Sequence, residues 1–80
     1  MKVKVLLFAR LRELAAESVD LEVPEGATVA DVWRKLQADF PSLAAYTHPP
    51  LAAVEQEYAA PDTPVLAGKE IAFFPPVSGG

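Results

Sequence analysis

The chain has 80 residues, no cysteine and a formal net charge of −4. The lack of cysteine excludes disulfides, thiolate metal sites and a thiol nucleophile, and the 7 Lys and Arg residues are too scattered for a nucleic-acid surface, which needs many phosphate contacts. The longest uncharged run, residues 40–54, is too short and too rich in proline to span a bilayer, so we expect one small soluble domain in the cytoplasm, with no membrane contact.

The first predicted element is a strand over residues 2–8, because charged and apolar side chains alternate at its start. Its core face consists of Val3, Val5 and Leu7. The opposite face begins with lysine and ends with Leu6 and Phe8. A strand with one solvent-exposed face does not need these two apolar side chains, so we expect the end of this strand to meet another protein.

A short helix and a second strand are predicted next. Leucines at helical spacing indicate a helix over residues 10–17, and alternating apolar and polar residues indicate a strand over residues 18–23. We expect this second strand to run antiparallel to the first.

The main helix is predicted to follow a turn at residues 24–26. Thr28 is a suitable N-terminal cap, and Asp31 stands three residues on, in the position of a capping box. Pro41 disfavours helix at the residue before it and ends the element. Four apolar residues recur at helical spacing and form the expected buried face: Val29, Val32, Trp33 and Leu36.

A proline-containing loop is predicted over residues 42–50, and it holds the only histidine, His48. Because the chain has no second histidine and no cysteine, we interpret His48 as a solvated loop residue and not as a metal ligand or a base.

Two short strands are predicted after this loop, over residues 51–54 and 58–59.

The last strand is predicted over residues 71–74, and alternation places its two phenylalanines on opposite faces. We expect Phe73 in the core and Phe74 outside, beside Phe8. Since the first and last strands are the most apolar, we expect them to pair in the middle of the sheet. The result is an α+β fold of the β-grasp type, with a mixed sheet of four to five strands packed on one main helix.

The C-terminal segment combines a stiff part with a freely rotating part. Pro75 and Pro76 fix their own φ and hold the residue before each of them extended. Gly79 and Gly80 can adopt almost any backbone angle and pass through a narrow channel. The last four residues could reach roughly 13 Å when extended and would carry the terminal carboxylate into a partner's site.

The chain is therefore expected to divide into a β-grasp domain over residues 1–76 and a flexible tail over residues 77–80. The alternative is that Gly-Gly is a frayed terminus. Two aromatics and two prolines placed just ahead of the glycines favour a functional tail.

Four segments of the chain resemble the small subunits of molybdopterin synthase, which are ubiquitin-like sulfur carriers: KVLLFA at residues 4–9, LREL at 11–14, LAAV at 51–54 with Gln56, and GKEIAFFPPVSGG at 68–80. The last ten residues are the most specific part. The resemblance covers essentially the whole chain. It implies a ubiquitin-like fold and a non-catalytic sulfur-donor subunit, in a heterotetramer whose large subunit carries the catalytic groups.

The resemblance also implies a chemistry at the C-terminus. An ATP-dependent activating enzyme adenylates the Gly80 carboxylate, and a persulfide sulfur then displaces AMP to leave a thiocarboxylate. The tail enters the large subunit, with Gly79 just ahead of the reactive group, and the sulfur passes to cyclic pyranopterin monophosphate. Two such transfers build the dithiolene of molybdopterin. No cofactor or metal is expected on this chain itself, because the activating enzyme uses the ATP.

Several positions match residues through which this family binds its partners. Phe8, Arg12 and Phe74 match residues of the sheet surface that dock both partners. Tyr58 is assigned to the same surface but stands where an aliphatic residue is common, and Glu55 stands where asparagine is common. The partner-binding segment is expected to continue through Pro75, Pro76, Val77 and Ser78.

Three other functions stay open. A related carrier would deliver sulfur to thiamine or to a tRNA base, although the sequence FFPPVS at residues 73–78 is more similar to the molybdopterin type. A ubiquitin-like modifier would join Gly80 to lysines, and a plain binding domain would not use its tail. Genome neighbours would identify a related carrier, and isopeptide-linked ladders in cells would indicate a modifier. A plain binding domain would keep its function after deletion of the two terminal glycines.

Overall fold

The structure is a computed structural model that describes residues 1–47 and 50–75. In this part of the chain five strands, β1 to β5 in chain order, cover Lys2–Leu7, Ser18–Glu22, Leu51–Val54, Glu57–Ala59 and Glu70–Phe74. The helices α1 and α2 cover Ala9–Leu14 and Val29–Asp39, and a 3₁₀ turn covers Pro41–Leu43. Neither α-helix in these ranges is long and apolar enough to cross a bilayer.

The strands form one mixed sheet in the order β2-β1-β5-β3-β4. The first and last strands pair in parallel at its centre, and the other three pairs are antiparallel. Parallel neighbours need a crossover connection, and α2 lies within that connection. This arrangement confirms the β-grasp fold and the central position of the two most apolar strands.

The core lies between α2 and the face of the sheet that alternation had predicted to be buried. Val5, Ile71 and Phe73 on the two central strands are fully buried, and the four apolar residues of the α2 stripe are buried against them. The Trp33 ring meets the Phe73 ring with centroids 5.2 Å apart. Each such side chain contributes about 1.5–3 kcal/mol when fully buried, so this packing holds α2 on the sheet.

The start of α2 confirms the predicted capping box. The Thr28 hydroxyl accepts a hydrogen bond from the Asp31 backbone N–H at 3.2 Å, and the Asp31 carboxylate accepts one from the Thr28 N–H at 2.9 Å. The hydrogen bond from the Thr28 backbone is the main cause that lowers the pKa of the Asp31 carboxyl. Two of the otherwise unpaired donors of the first helical turn are thereby satisfied.

The first helix is shorter than the predicted range of 10–17. Ala15 already leaves the helical region, with φ −131° and ψ −85°. The Glu17 carbonyl accepts a hydrogen bond from the Leu7 backbone N–H at 3.0 Å, so the chain is returning to the sheet at this point. Pairing with β1 therefore replaces the last helical turn that the leucine spacing indicated.

The segment after α2 is more ordered than a plain loop. Leu43 is fully buried in the 3₁₀ turn, and the Gln37 side-chain amide donates hydrogen bonds to the carbonyls of Leu43 and Tyr46 at 3.1 and 2.9 Å. One polar side chain of α2 thus fixes the path of this segment. The interpretation of His48 lies outside the described residues.

Candidate functional site

A row of four side chains crosses the face of the sheet opposite α2. Leu6 pairs in register with Ala72, Ala72 with Ala53, and Ala53 with Tyr58. Two large side chains therefore stand at the ends of the row, with two alanines between them. At about 4.8 Å per strand, Leu6 and Tyr58 are separated by roughly 14 Å along this row. The alanines form the floor of a groove, and the larger residues form its sides.

The Phe8 and Phe74 rings close one end of this groove. Their centroids are 4.8 Å apart and their planes differ by 12°, so the rings are stacked. Phe8 is 39% exposed, whereas Phe73, the neighbour of Phe74, is 0% exposed. The predicted division of the two phenylalanines between core and outer face is confirmed. The Phe8 backbone N–H also donates to the Phe73 carbonyl at 3.2 Å, which holds the end of β1 against β5.

The opposite end of the groove is polar. Glu70 lies at the start of β5, four residues before Phe74, and Gln56 belongs to the turn between β3 and β4. The groove has a volume of about 420 Å³ and is lined by Leu6, Phe8, Ala53, Gln56, Tyr58, Glu70, Ala72 and Phe74. It is thus an open, mainly apolar concavity with one carboxylate at the end away from the phenylalanines.

The described chain ends next to the aromatic end of the groove, because the half-buried Pro75 directly follows Phe74. The expectations for the rest of the tail lie outside the described residues; they concern Pro76, Val77, Ser78, Gly79 and Gly80.

The other two positions assigned to partner binding differ in their relation to the groove. Tyr58 is 81% exposed and forms one side of the groove. Arg12 is exposed on the last turn of α1 and is not among the lining residues. The structure therefore brings Phe8, Phe74 and Tyr58 together and places Arg12 outside that group.

The turn between β3 and β4 has unusual backbone geometry. Glu55 and Gln56 both have positive φ, at 49° and 71°. A two-residue hairpin loop with two positive φ values follows the pattern of a type I′ turn, which favours Asn-Gly. Glu55 occupies the position at which asparagine is common in the family that the sequence resembles. Its carboxylate lies 3.6 Å from Lys69 Nζ.

The sequence argument did not assign four of the lining residues to partner binding: Ala53, Gln56, Glu70 and Ala72. The alternation that separated Phe73 from Phe74 also puts Glu70 and Ala72 on the outer face, so that signal was present. The cross-strand register that makes two alanines adjacent was not available from one sequence. Among residues 1–47 and 50–75, no three His, Cys, Asp or Glu side chains are grouped closely enough to hold a metal ion.

The sequence pattern of the ThiS family matches residues 5–80, nearly the whole chain. The chain belongs to the ThiS family. It is 39% identical to the molybdopterin synthase sulfur carrier subunit of Escherichia coli, over 98% of this chain and 99% of that protein. It is 38% identical to the protein of the same name from Arabidopsis thaliana, over 99% of this chain and 83% of that protein. These full-length likenesses support the function of a sulfur carrier subunit of molybdopterin synthase.

Solved structures agree with the ubiquitin-like β-grasp fold. SAMP1 from Haloferax volcanii superimposes with a TM-score of 0.85 at 34% identity, over 100% of both chains. A chain from the complex of subunits 1 and 2 of the molybdopterin-converting factor of Helicobacter pylori superimposes with a TM-score of 0.67 at 21% identity, over 100% of both chains. At that lower identity the second likeness concerns the fold alone.

Proposed function

We propose that this ThiS-family protein donates sulfur from a Gly80 thiocarboxylate to cyclic pyranopterin monophosphate within molybdopterin synthase. The observation that carries this proposal is the full-length likeness to sulfur carrier subunits, which extends through the terminal Gly-Gly. The groove supports it, because its aromatic end includes Phe74, which lies close in sequence to the terminal residues, and its apolar lining is suited to docking. The proposed division is a domain over residues 1–76 and a flexible tail over residues 77–80.

The proposed chemistry begins with activation of the terminal carboxylate. A carboxylate oxygen of Gly80 attacks the α-phosphorus of ATP on the activating enzyme and releases pyrophosphate, which gives an acyl-adenylate. A persulfide sulfur then attacks the acyl carbon and expels AMP, and a thiol cleaves the resulting S–S bond to leave the thiocarboxylate. Adenylation supplies the leaving group that a free carboxylate lacks, which is the usual benefit of a covalent intermediate.

The proposed partners are the large synthase subunit and the ATP-dependent activating enzyme. The Helicobacter pylori structure contains subunits 1 and 2 of its own molybdopterin-converting factor in one complex. We infer that this chain docks a large subunit through its outer sheet face and forms a heterotetramer with it. We also propose that this protein acts in the cytoplasm.

Mass spectrometry of the protein purified from its own host tests the sulfur-carrier proposal. The expected result is a fraction of the protein whose mass has increased by the replacement of one oxygen by sulfur, located at Gly80 by fragmentation. A chain without its two terminal glycines is the matched control and should lack this species. If molybdopterin synthesis proceeds in the host while the increment never appears, the thiocarboxylate proposal is wrong.

A second candidate function is a protein modifier that joins Gly80 to lysines of other proteins. The observation that favours it is the 34% identity to SAMP1, whose name in a second structure is small archaeal modifier protein 1. Isopeptide-linked conjugates would then appear in cells and disappear when the terminal glycines are deleted. Their absence from cells that synthesise molybdopterin would exclude this second function.

A further inference from the structure

The groove on the outer sheet face has a carboxylate that no partner within the described residues neutralises. Glu70 is half-buried and lines the groove. Lys4 is its register neighbour on β1, yet the ion pairs formed by residues 1–47 and 50–75 include neither Lys4 nor Glu70. The adjacent Lys69 pairs instead with Glu55 at 3.6 Å. A half-buried carboxylate is better stabilised once it meets a cation than when it is covered without one.

The shape of the groove limits which cation can reach this carboxylate. The floor consists of Ala53 and Ala72, and the stacked pair of Phe8 and Phe74 lies at the end opposite Glu70. A side chain lying along this floor must therefore be apolar for most of its length and charged only at its tip. Lysine and arginine have that form, because both bury an aliphatic stem while the charged head stays polar.

Arginine fits the polar end better than lysine does. Its planar guanidinium can bond a carboxylate with two parallel N–H groups, and it keeps donors for a side-chain amide such as that of Gln56. Its flat face also stacks on aromatic rings, which the exposed Tyr58 offers at the side of the groove. These features together favour binding of an arginine guanidinium over binding of a lysine ammonium.

We propose that the groove is the receptor for one arginine side chain of the docked partner, with its stem on the alanine floor and its guanidinium on the Glu70 carboxylate. This inference rests on the proposed function, in which the outer sheet face docks the large synthase subunit. It adds a specificity-determining contact at the end of the groove farthest from the tail. The aromatic end then contributes apolar contact area, and Glu70 sets the charge and the direction of the inserted side chain.

Titration calorimetry with the large subunit from the same host tests the contact. Glu70→Gln keeps the size and a polar tip but removes the charge, and it should weaken binding about tenfold or more and reduce its salt dependence. Glu57→Gln is the matched control, because Glu57 is exposed on β4 and does not line the groove. It should bind within about twofold of the unchanged protein. Thermal melts of both variants check that the fold is kept.

The outcomes separate this inference from the proposed function. If Phe74→Ala weakens binding while Glu70→Gln does not, the docking face stands and the arginine contact is wrong. If Glu70→Gln and Glu57→Gln weaken binding equally, the loss of affinity reflects the change in net charge, and the arginine contact is again wrong. If the unchanged protein does not bind the large subunit, the proposed function fails. A small probe then tests separately whether the groove binds an arginine side chain.

That probe is N-acetyl-arginine amide, followed by amide chemical shifts of the complete chain. N-acetyl-norleucine amide is its control, because it keeps the aliphatic stem and lacks the cation. The inference requires shifts at Glu70, Ala72 and Tyr58 with the arginine probe that are larger than with norleucine and that vanish in Glu70→Gln. Equal shifts with the two probes, or none, would overturn it.

Discussion

Two neighbouring phenylalanines of β5 have opposite surroundings, and this contrast allows a paired prediction. Phe73→Ala opens a cavity against Trp33 and should lower the free energy of unfolding by about 3–5 kcal/mol. Phe74→Ala loses mainly its stacking on Phe8, which is worth about 1 kcal/mol. It should instead weaken binding to the large subunit by about 2 kcal/mol or more, since aromatic anchors dominate interface energies.

Thermal melts and titration calorimetry on the two variants measure these effects. Each phenylalanine serves as the control for the other, because residue type and strand are the same. If Phe74→Ala unfolded the domain, or if Phe73→Ala melted normally and bound poorly, the assignment of the two faces to core and docking would be reversed.

Asp31 allows a prediction about acid stability. Its pKa is lowered in the folded protein by the hydrogen bond from the Thr28 backbone, so the ionised carboxylate stabilises the folded state above the unfolded pKa of about 3.9. This contribution is lost as the pH falls through the lower, folded-state pKa. Asp31→Asn should therefore be less stable than the unchanged protein at neutral pH.

The stability difference between the two proteins should shrink on acidification and disappear below the folded-state pKa. Denaturant unfolding at a series of pH values measures it, and Asp62→Asn, at an exposed site outside α2, is the control. A difference that stays constant with pH would mean that the carboxylate charge has no part in the capping box.

Among the elements, the β3–β4 turn is a place where local sequence and backbone conflict at two successive residues. A positive φ costs a non-glycine residue roughly 1–2 kcal/mol, and Glu55 and Gln56 both adopt one. The double change Glu55→Asn and Gln56→Gly supplies the favoured type I′ sequence. It should raise the free energy of unfolding by about 1–2 kcal/mol, measured by denaturant titration.

The double change also removes the ion pair of Glu55 with Lys69, and this loss acts against the expected gain in stability. Both side chains are largely exposed, so its loss should cost less than about 1 kcal/mol. Glu55→Gln removes the charge and keeps the backbone conflict, so it isolates this loss. A double variant no more stable than Glu55→Gln would show that the turn is not strained.

Patterns within single elements were predictable, and relations between elements were only partly so. Alternation placed Phe73 and Phe74 correctly, and helical spacing found the buried face of α2, because each pattern follows from the geometry of one element. The groove floor depends on Ala53 and Ala72 becoming neighbours, which is a matter of strand register. The early end of α1 at Leu14 likewise follows from pairing with β1, which competes with helix propensity.

For the whole molecule, the stability of the fold and the proposed role of the C-terminal glycines should be separable. The core is complete by Phe74, since the buried residues of β5 end at Phe73. Deleting Gly79 and Gly80 should therefore change the free energy of unfolding by less than about 0.5 kcal/mol. Sulfur transfer in a reconstituted synthase assay should be abolished.

Binding of the shortened chain to the large subunit is the control for this experiment. It should persist, because the shortened chain retains the groove. A large drop in melting temperature would show that the tail is structural. Unimpaired sulfur transfer by the shortened chain would remove the terminal glycines from the mechanism.

The central position of β5 also determines when this domain can fold during its synthesis. Both β1 and β3 depend on β5 for their hydrogen-bonding partner on one side, so neither can be completed before residues 70–74 have left the ribosome. Pairing between the first and last strands closes a loop of nearly the whole chain, which is slow and entropically costly. The Phe8–Phe74 stack forms only at this final step, so an incompletely folded chain lacks the assembled outer face that we propose for docking. Under that proposal, a partner that binds this face can recognise only chains whose first and last strands have already paired.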